Sequence, residues 1–241
     1  MNKEILLTLE NASVHYGGVH ALNNVTANID EGEVIALMGP NGAGKSTILK
    51  ALFGIAPLVK GRVLLYGQRV NPKPHEMVAR GITYVPQGRQ VFKNLTVYEN
   101  LELGGYAIVN KKDVKLNIEE SLKFFPALRE KLDVKAGLLS GGQQQMLTIA
   151  RGLISDPKVL LLDEPSLGLS PKIVKEVFEK ITEINKLRKI AIVIVEHSIK
   201  SVLSVSNRVY VLSQGNLAFS GTPTQLEKDD ILQNVFLSAG K

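Results

Sequence analysis

The 241-residue chain carries a formal net charge of +6, with 44% hydrophobic and 22% charged residues and neither Cys nor Trp. This balance excludes an intrinsically disordered chain and leaves room for a sizeable core, in one large domain or two small ones. Without Cys there are no disulfides and no thiolate metal sites, and a reducing compartment fits; the low aromatic content of 5% and the lack of a dense basic run argue against a nucleic-acid-binding surface.

Residues 1–10, "MNKEILLTLE", lack the apolar core and cleavage site of a secretory signal. The first thirty residues read as β: "ILLTLE" and "NNVTANID", with turns at Gly17-Gly18 and Glu31-Gly32. "EVIALMG" at 33–39 is a short apolar run of the kind found in a buried parallel strand. It runs into a glycine loop, and "KSTILKALFG" continues as a helix ending at Gly54. "GRVLLYGQRV" at 61–70 reads as a hairpin. From about 89 to 155 the β pattern fades and helical spacing takes over in "TVYENLELGGYA", in "VKLNIEESLKFFPAL" and in the stretch after "SGG". The β signal returns with "KVLLLDEP" at 158–165. Ser170-Pro171 is then predicted to start a helix, with Ser170 as N-cap and an apolar stripe at Ile173, Val177, Ile181 and Ile184. "IAIVIVEH" at 190–197 is a further buried strand, followed by "SIKSVLSVS". "RVYVLSQGNLAFSG" reads as a hairpin turning at Gln214-Gly215. Thr222 and Gln225 stand in capping-box spacing at the start of a last helix over "TPTQLEKDDILQNVF". The longest apolar runs, "IAIVIV" among them, are too short to span a bilayer.

Two places carry the chemistry. "GPNGAGKST" at 39–47 fits the phosphate-loop pattern through Gly39, Gly44, Lys45 and Ser46. The glycines let the backbone N–H groups of Gly39, Asn41, Gly42, Ala43, Gly44 and Thr47 turn inward around an anion, with Pro40, which has no N–H, in the same nucleotide-binding loop. The helix N-terminus adds partial positive charge, Lys45 reaches the β and γ phosphates, and the Ser46 hydroxyl ligates Mg²⁺. A chance match is on the order of one per cent for a chain this long. "VLLLDEP" then puts Asp163 at the end of a buried strand, where a carboxylate can hold Mg²⁺. Glu164 follows. Neighbours in a strand point to opposite faces, but at a strand's end both can enter one crevice, so Asp163 serves the metal and Glu164 polarises the attacking water.

A second glycine-rich turn, "LSGGQ" at 139–143, stands between these two. With a phosphate loop upstream and "VLLLDEP" downstream, the chain resembles the ATP-binding cassette (ABC) family over nearly its whole length. The resemblance implies a Mg-dependent ATPase of α/β class: a P-loop core with a mostly parallel sheet, an N-terminal antiparallel β subdomain and an inserted α-helical subdomain. It divides a single ABC domain, 1–241, into a core of 1–88 and 156–241 and a helical part, 89–155, that carries the signature. It also implies that two chains pack head to tail, so that Ser140, Gly141, Gly142 and Gln143 of one close over the ATP held by the other. The two loops are then halves of one shared site. Ser140 is placed to cap the following helix.

Other roles come only from the resemblance. Tyr16 lies where the family sets an aromatic ring against adenine. Gln87, in "YVPQG", matches a glutamine that contacts Mg²⁺ and the water, and His197 matches the histidine that contacts the γ-phosphate. Ser170 stands where many members carry Asp. "PQGRQVFKNLTVYENLELGGY", "FFPALREK" and "DEPSLGLSP" look most like the shorter ATPase of branched-chain amino acid importers, with urea and amide importers similar in part. Such a subunit is cytoplasmic and peripheral on the inner face of the membrane. Its partners are integral-membrane permeases and a second ABC chain, homo- or heterodimeric, with no nucleic acid. ABC ATPases acting on DNA or ribosomes usually carry long insertions or tandem cassettes, and this chain has neither.

Overall fold

The computed structural model describes residues 4–228 and Val235. The N-terminal β pattern forms a long hairpin, β1 (Ile5–Tyr16) and β2 (Val19–Asp30), closed at Gly17-Gly18 with Tyr16 opposite Val19. β4 (Lys60–Leu65) and β5 (Gln68–Val70) join it in a four-stranded antiparallel sheet of order β2-β1-β4-β5, between which fall β3 (Val34–Met38) and α1 (Lys45–Phe53). α1 ends at Gly54 in the left-handed region, as the sequence suggests.

α2 (Pro74–Ala79) leads to β6 (Ile82–Val85), a strand that the periodicity reading does not mark. α3 (Val97–Gly104), α4 (Lys111–Phe124), α5 (Pro126–Arg129), a single 3-10 turn at Ala136–Leu138 and α6 (Gly141–Leu153) follow. These fall in the segment expected to be helical. The chain then alternates: β7 (Val159–Asp163), α7 (Pro171–Arg188), β8 (Ala191–Val195), α8 (Ile199–Leu203), the hairpin β9 (Arg208–Ser213) and β10 (Asn216–Gly221), and α9 (Pro223–Lys228). The second sheet has the order β10-β9-β3-β8-β7-β6; all its pairings are parallel except β9 with β10.

Strand alternation divides the core between the two faces of this sheet. Val34, Ala36, Leu160, Leu162, Ile192 and Ile194 face one way. They pack with Leu101, Leu122 and Leu147 from the helical stretch, and with Val177, Ile181 and Ile184 of α7. Ile35, Leu37, Leu161 and Val193 face the other way, against α1 and the antiparallel sheet. The helical segment therefore shares its core with the sheet that carries the phosphate loop, so a shift of α6 is felt at the strands beneath it.

Two caps behave as read. Ser140 Oγ accepts from Gln143 N and Gln143 Oε1 accepts from Ser140 N, and Thr222 and Gln225 make the same reciprocal pair. Ser170 departs from expectation. It occupies the N-cap position of α7 with extended backbone angles, but its side chain makes no cap hydrogen bond. Pro171 at the first helical position presets φ and so starts the helix there. The expected last helix is described only over Pro223–Lys228, and its continuation to residue 236 lies outside the described residues apart from Val235.

Candidate active site

Strand β3 delivers the chain into the phosphate loop, and close packing explains two of its glycines. A Cβ on Gly39 (φ +143) would lie 2.2 Å from the Leu212 carbonyl oxygen; one on Gly44 (φ +100) would lie 2.4 Å from the Ala21 carbonyl oxygen. The loop is thus wedged between β9 and the N-terminal hairpin, in a conformation only glycine adopts without strain. Gly44→Ala is expected to lower ATP affinity by at least about tenfold, since one misplaced peptide spoils several N–H contacts; nucleotide titration of the purified variant checks this.

Lys45, only 5% exposed, donates from Nζ to the carbonyls of Gly39 and Pro40, both at 2.9 Å. These bonds fold the side chain back over the loop and hold the ammonium at its mouth. Burial pulls its pKa below the ordinary lysine value, while the charges of Glu164 and Asp163 push it back up.

Ser46 lies at the first turn of α1. Its hydroxyl donates to Asp163 Oδ1 at 2.7 Å, while the Tyr84 phenol donates to Asp163 Oδ2 at 2.9 Å. The sequence reading anticipates the Ser46–Asp163 pair but not Tyr84. Among the described residues no cluster of three or more His, Cys, Asp or Glu side chains could hold a metal ion. A hydroxyl beside a carboxylate still fits Mg²⁺, a hard cation that keeps waters and takes phosphate oxygens as further ligands.

Glu164 shows how a strand's end turns two neighbours into one crevice. Its N–H still bonds the Val195 carbonyl at 2.9 Å, continuing the ladder, but its φ is +50, in the left-handed region. A non-glycine residue held there breaks the alternation and stores strain of order 1–3 kcal/mol. The turn presents the carboxylate to two flanking groups. Gln87 Nε2 donates to Oε2 at 2.7 Å, and His197 Nε2 lies 2.9 Å from Oε1. Gln87, Glu164 and His197, from three separate loops, thus meet at one carboxylate.

Glu196 is a second residue missed from sequence. It is 4% exposed, with Oε1 accepting from Ser166 N at 2.8 Å and Oε2 from the N–H groups of His197 (2.9 Å) and Ser198 (3.3 Å). It clamps the loop after Glu164 to the loop of His197. The signal for it was present, since it is the only charged residue in "IAIVIVEH".

Tyr16 stands 46% exposed at the tip of the N-terminal hairpin, whose β2 strand abuts Gly44. The "LSGGQ" turn is elsewhere. Ser140 is exposed, and the first intrahelical bond of α6 is Gln144 N to Ser140 O. Among the described residues no hydrogen bond joins 140–143 to 39–47. The two glycine-rich turns are therefore not hydrogen-bonded to each other within one molecule. Arg89 bridges nearby elements: its guanidinium packs on Gly141 and Nη2 donates to the Gly168 carbonyl at 2.6 Å.

A family model described as ABC transporter matches residues 22–167, which span the phosphate loop, the "LSGGQ" turn and both carboxylates. The chain belongs to the ABC transporter family. The high-affinity branched-chain amino acid transport ATP-binding protein BraG of Pseudomonas aeruginosa is 38% identical over 96% of this chain and 99% of its own length. The probable branched-chain amino acid transport ATP-binding protein LivF of Archaeoglobus fulgidus is 42% identical over 88% of this chain and 89% of its own. The crystal structure of MJ1267, an ATP-binding cassette of an ABC transporter in its ADP conformation, superposes with a TM-score of 0.88 at 28% identity, covering 97% of this chain and 98% of that one. The α/β fold and the enzyme class, an ABC-type ATPase, stand with these likenesses.

Proposed function

We propose that two such cassettes, two copies or this chain with a second ABC chain, hydrolyse Mg-ATP in sites shared across their interface and so power an importer of branched-chain amino acids. The hydrolysis is carried by the meeting of Gln87, Glu164 and His197 at one carboxylate, beside the Ser46–Asp163 pair, and the likeness to BraG and LivF supports the solute. Lys45 and the loop N–H groups of 39–47 hold the phosphates, and the exposed Tyr16 stacks against the adenine. Glu164 orients the attacking water and takes its proton, and Gln87 and His197 fix the carboxylate in position for both. Mg²⁺, held by Ser46 and Asp163 with Gln87 nearby, supplies charge for the β and γ phosphate oxygens when bound.

The signature turn completes the site from the other chain. Ser140 and the free N–H groups of Gly141 and Gly142 suit a γ-phosphate. Ser140→Arg should leave ATP binding to the isolated chain within about twofold of wild type but cut hydrolysis about a hundredfold, the bulky cation blocking the neighbour's nucleotide. Binding and phosphate-release assays on the same preparation test it; normal turnover would sink the shared site.

Among the described residues no helix is long and apolar enough to cross a membrane. The reading places the chain on the cytoplasmic face, docked to integral-membrane permeases. A groove of about 660 Å³, lined by Val85, Pro86, Phe92, Leu103, Tyr106 and Arg151, opens between β6 and the helical segment. Tyr106 is 90% exposed there. Arg151 of α6 donates to the Gln90 carbonyl and to Asn100 Oδ1, tying the signature helix to the loop after Gln87. A permease segment seated in this groove thereby reaches both halves of the site. The test is reconstitution with the permeases in vesicles: ATP-dependent uptake of leucine, isoleucine or valine is expected, and uptake of urea or amides instead would reassign the solute. Co-purification with nucleic acid in place of a permease would overturn the transport reading.

A further inference from the structure

Among the described residues, Tyr84 touches the Asp163 carboxylate without any role assigned to it by the sequence reading, although it opens the "YVPQG" stretch. It sits on β6, opposite Leu161 of β7, two residues before Asp163 on the same face. That diagonal offset is within reach of an aromatic side chain. Its ring lies 5.6 Å from that of Phe53, which fixes the direction of the phenol. The carboxylate oxygen can only accept, so the phenol donates to it, at 2.9 Å.

An aspartate's terminal torsion is soft and roughly two-fold, so a carboxylate held at one oxygen can swing. Here each oxygen has its own donor, Ser46 at Oδ1 and Tyr84 at Oδ2. We propose that Tyr84 is a positioning residue for the metal-holding carboxylate: its hydroxyl locks the plane of Asp163, so that the oxygen beside Ser46 is aimed before Mg-ATP arrives. Outer partners of this kind typically change metal affinity 10- to 100-fold when removed. Since Gln87 follows Tyr84 by three residues, in the loop just after β6, the same phenol also anchors the strand that leads to one of the groups on Glu164. This inference rests on the Mg-ATPase reading above.

Tyr84→Phe removes the hydroxyl and keeps the ring against Phe53. The experiment titrates Mg²⁺ into wild type and variant in the presence of a fluorescent, non-hydrolysable ATP analogue, and repeats the binding in EDTA. In EDTA the two proteins should bind the analogue equally, because the phosphate cradle is untouched. The Mg²⁺ concentration giving half of the metal-dependent enhancement should rise about tenfold in the variant. An unchanged Mg²⁺ midpoint overturns the proposal, and so does an equal loss of binding with and without Mg²⁺, which is what general loosening of the site would produce. A wild type whose binding ignores Mg²⁺ would instead overturn the Mg-ATPase reading, and the positioning role with it.

Discussion

Glu164→Gln should bind ATP as tightly as the wild-type chain and hydrolyse it about a hundredfold more slowly or worse. The amide has nearly the shape of the carboxylate, so packing at this 9% exposed position survives, and Asp163 keeps its own donors from Ser46 and Tyr84. What is lost is the negative charge that polarises the water and accepts its proton, an assistance usually worth about 10²–10⁴ in rate. The geometry around the carboxylate sharpens the expectation. Gln87 donates to Oε2 and His197 stands at Oε1. An amide can accept at only one of these places and turns its own NH₂ to the other; its oxygen can still accept from Gln87, while His197 must then present an unprotonated Nε2 to the NH₂. A phosphate-release assay beside a nucleotide titration separates binding from chemistry. Turnover near the wild-type rate would move the base elsewhere, with His197 the next candidate.

Lys45→Ala should abolish detectable turnover and weaken ATP binding by about a hundredfold or more. The ammonium is held at the mouth of the loop by two carbonyls, so it is in place before the phosphates arrive. A preorganised cation in a poorly hydrated site contributes far more than the same charge in water. Its removal also leaves Asp163 and Glu164 without the positive charge that faces them, and their repulsion then acts on the incoming phosphates. Titration with labelled ATP checks this, and affinity equal to that of wild type would count against the phosphate-loop assignment.

Most of the architecture was legible because the buried strands are nearly pure apolar runs. "EVIALMG", "VLLLDEP" and "IAIVIVEH" became β3, β7 and β8, the central strands of the parallel sheet. Ile82–Val85 was harder. Four residues are too few for a period, and Thr83 and Tyr84 break the apolar run, yet they are polar for reasons of their own: Thr83 bonds Ser155 and Tyr84 bonds Asp163. Ser170 misled in the opposite direction, since its type suits a side-chain cap that it does not form. At the site, sequence spacing found the groups of the phosphate loop and the two carboxylates. It could not show that Glu164 adopts a left-handed backbone, nor that Glu196 gathers three N–H groups, because both depend on loops that meet only in three dimensions.

Why one chain carries two glycine-rich turns with no hydrogen bond between them is the question on which the proposed shared site stands. Size-exclusion chromatography of Glu164→Gln answers it most directly, because slow turnover lets ATP persist in a closed interface. The variant should elute as a monomer without nucleotide and as a dimer with Mg-ATP, and adding Ser140→Arg to the same chain should return it to a monomer in both conditions. A Glu164→Gln chain that binds Mg-ATP yet remains monomeric would contradict the claim that "LSGGQ" of one molecule completes the nucleotide site of another.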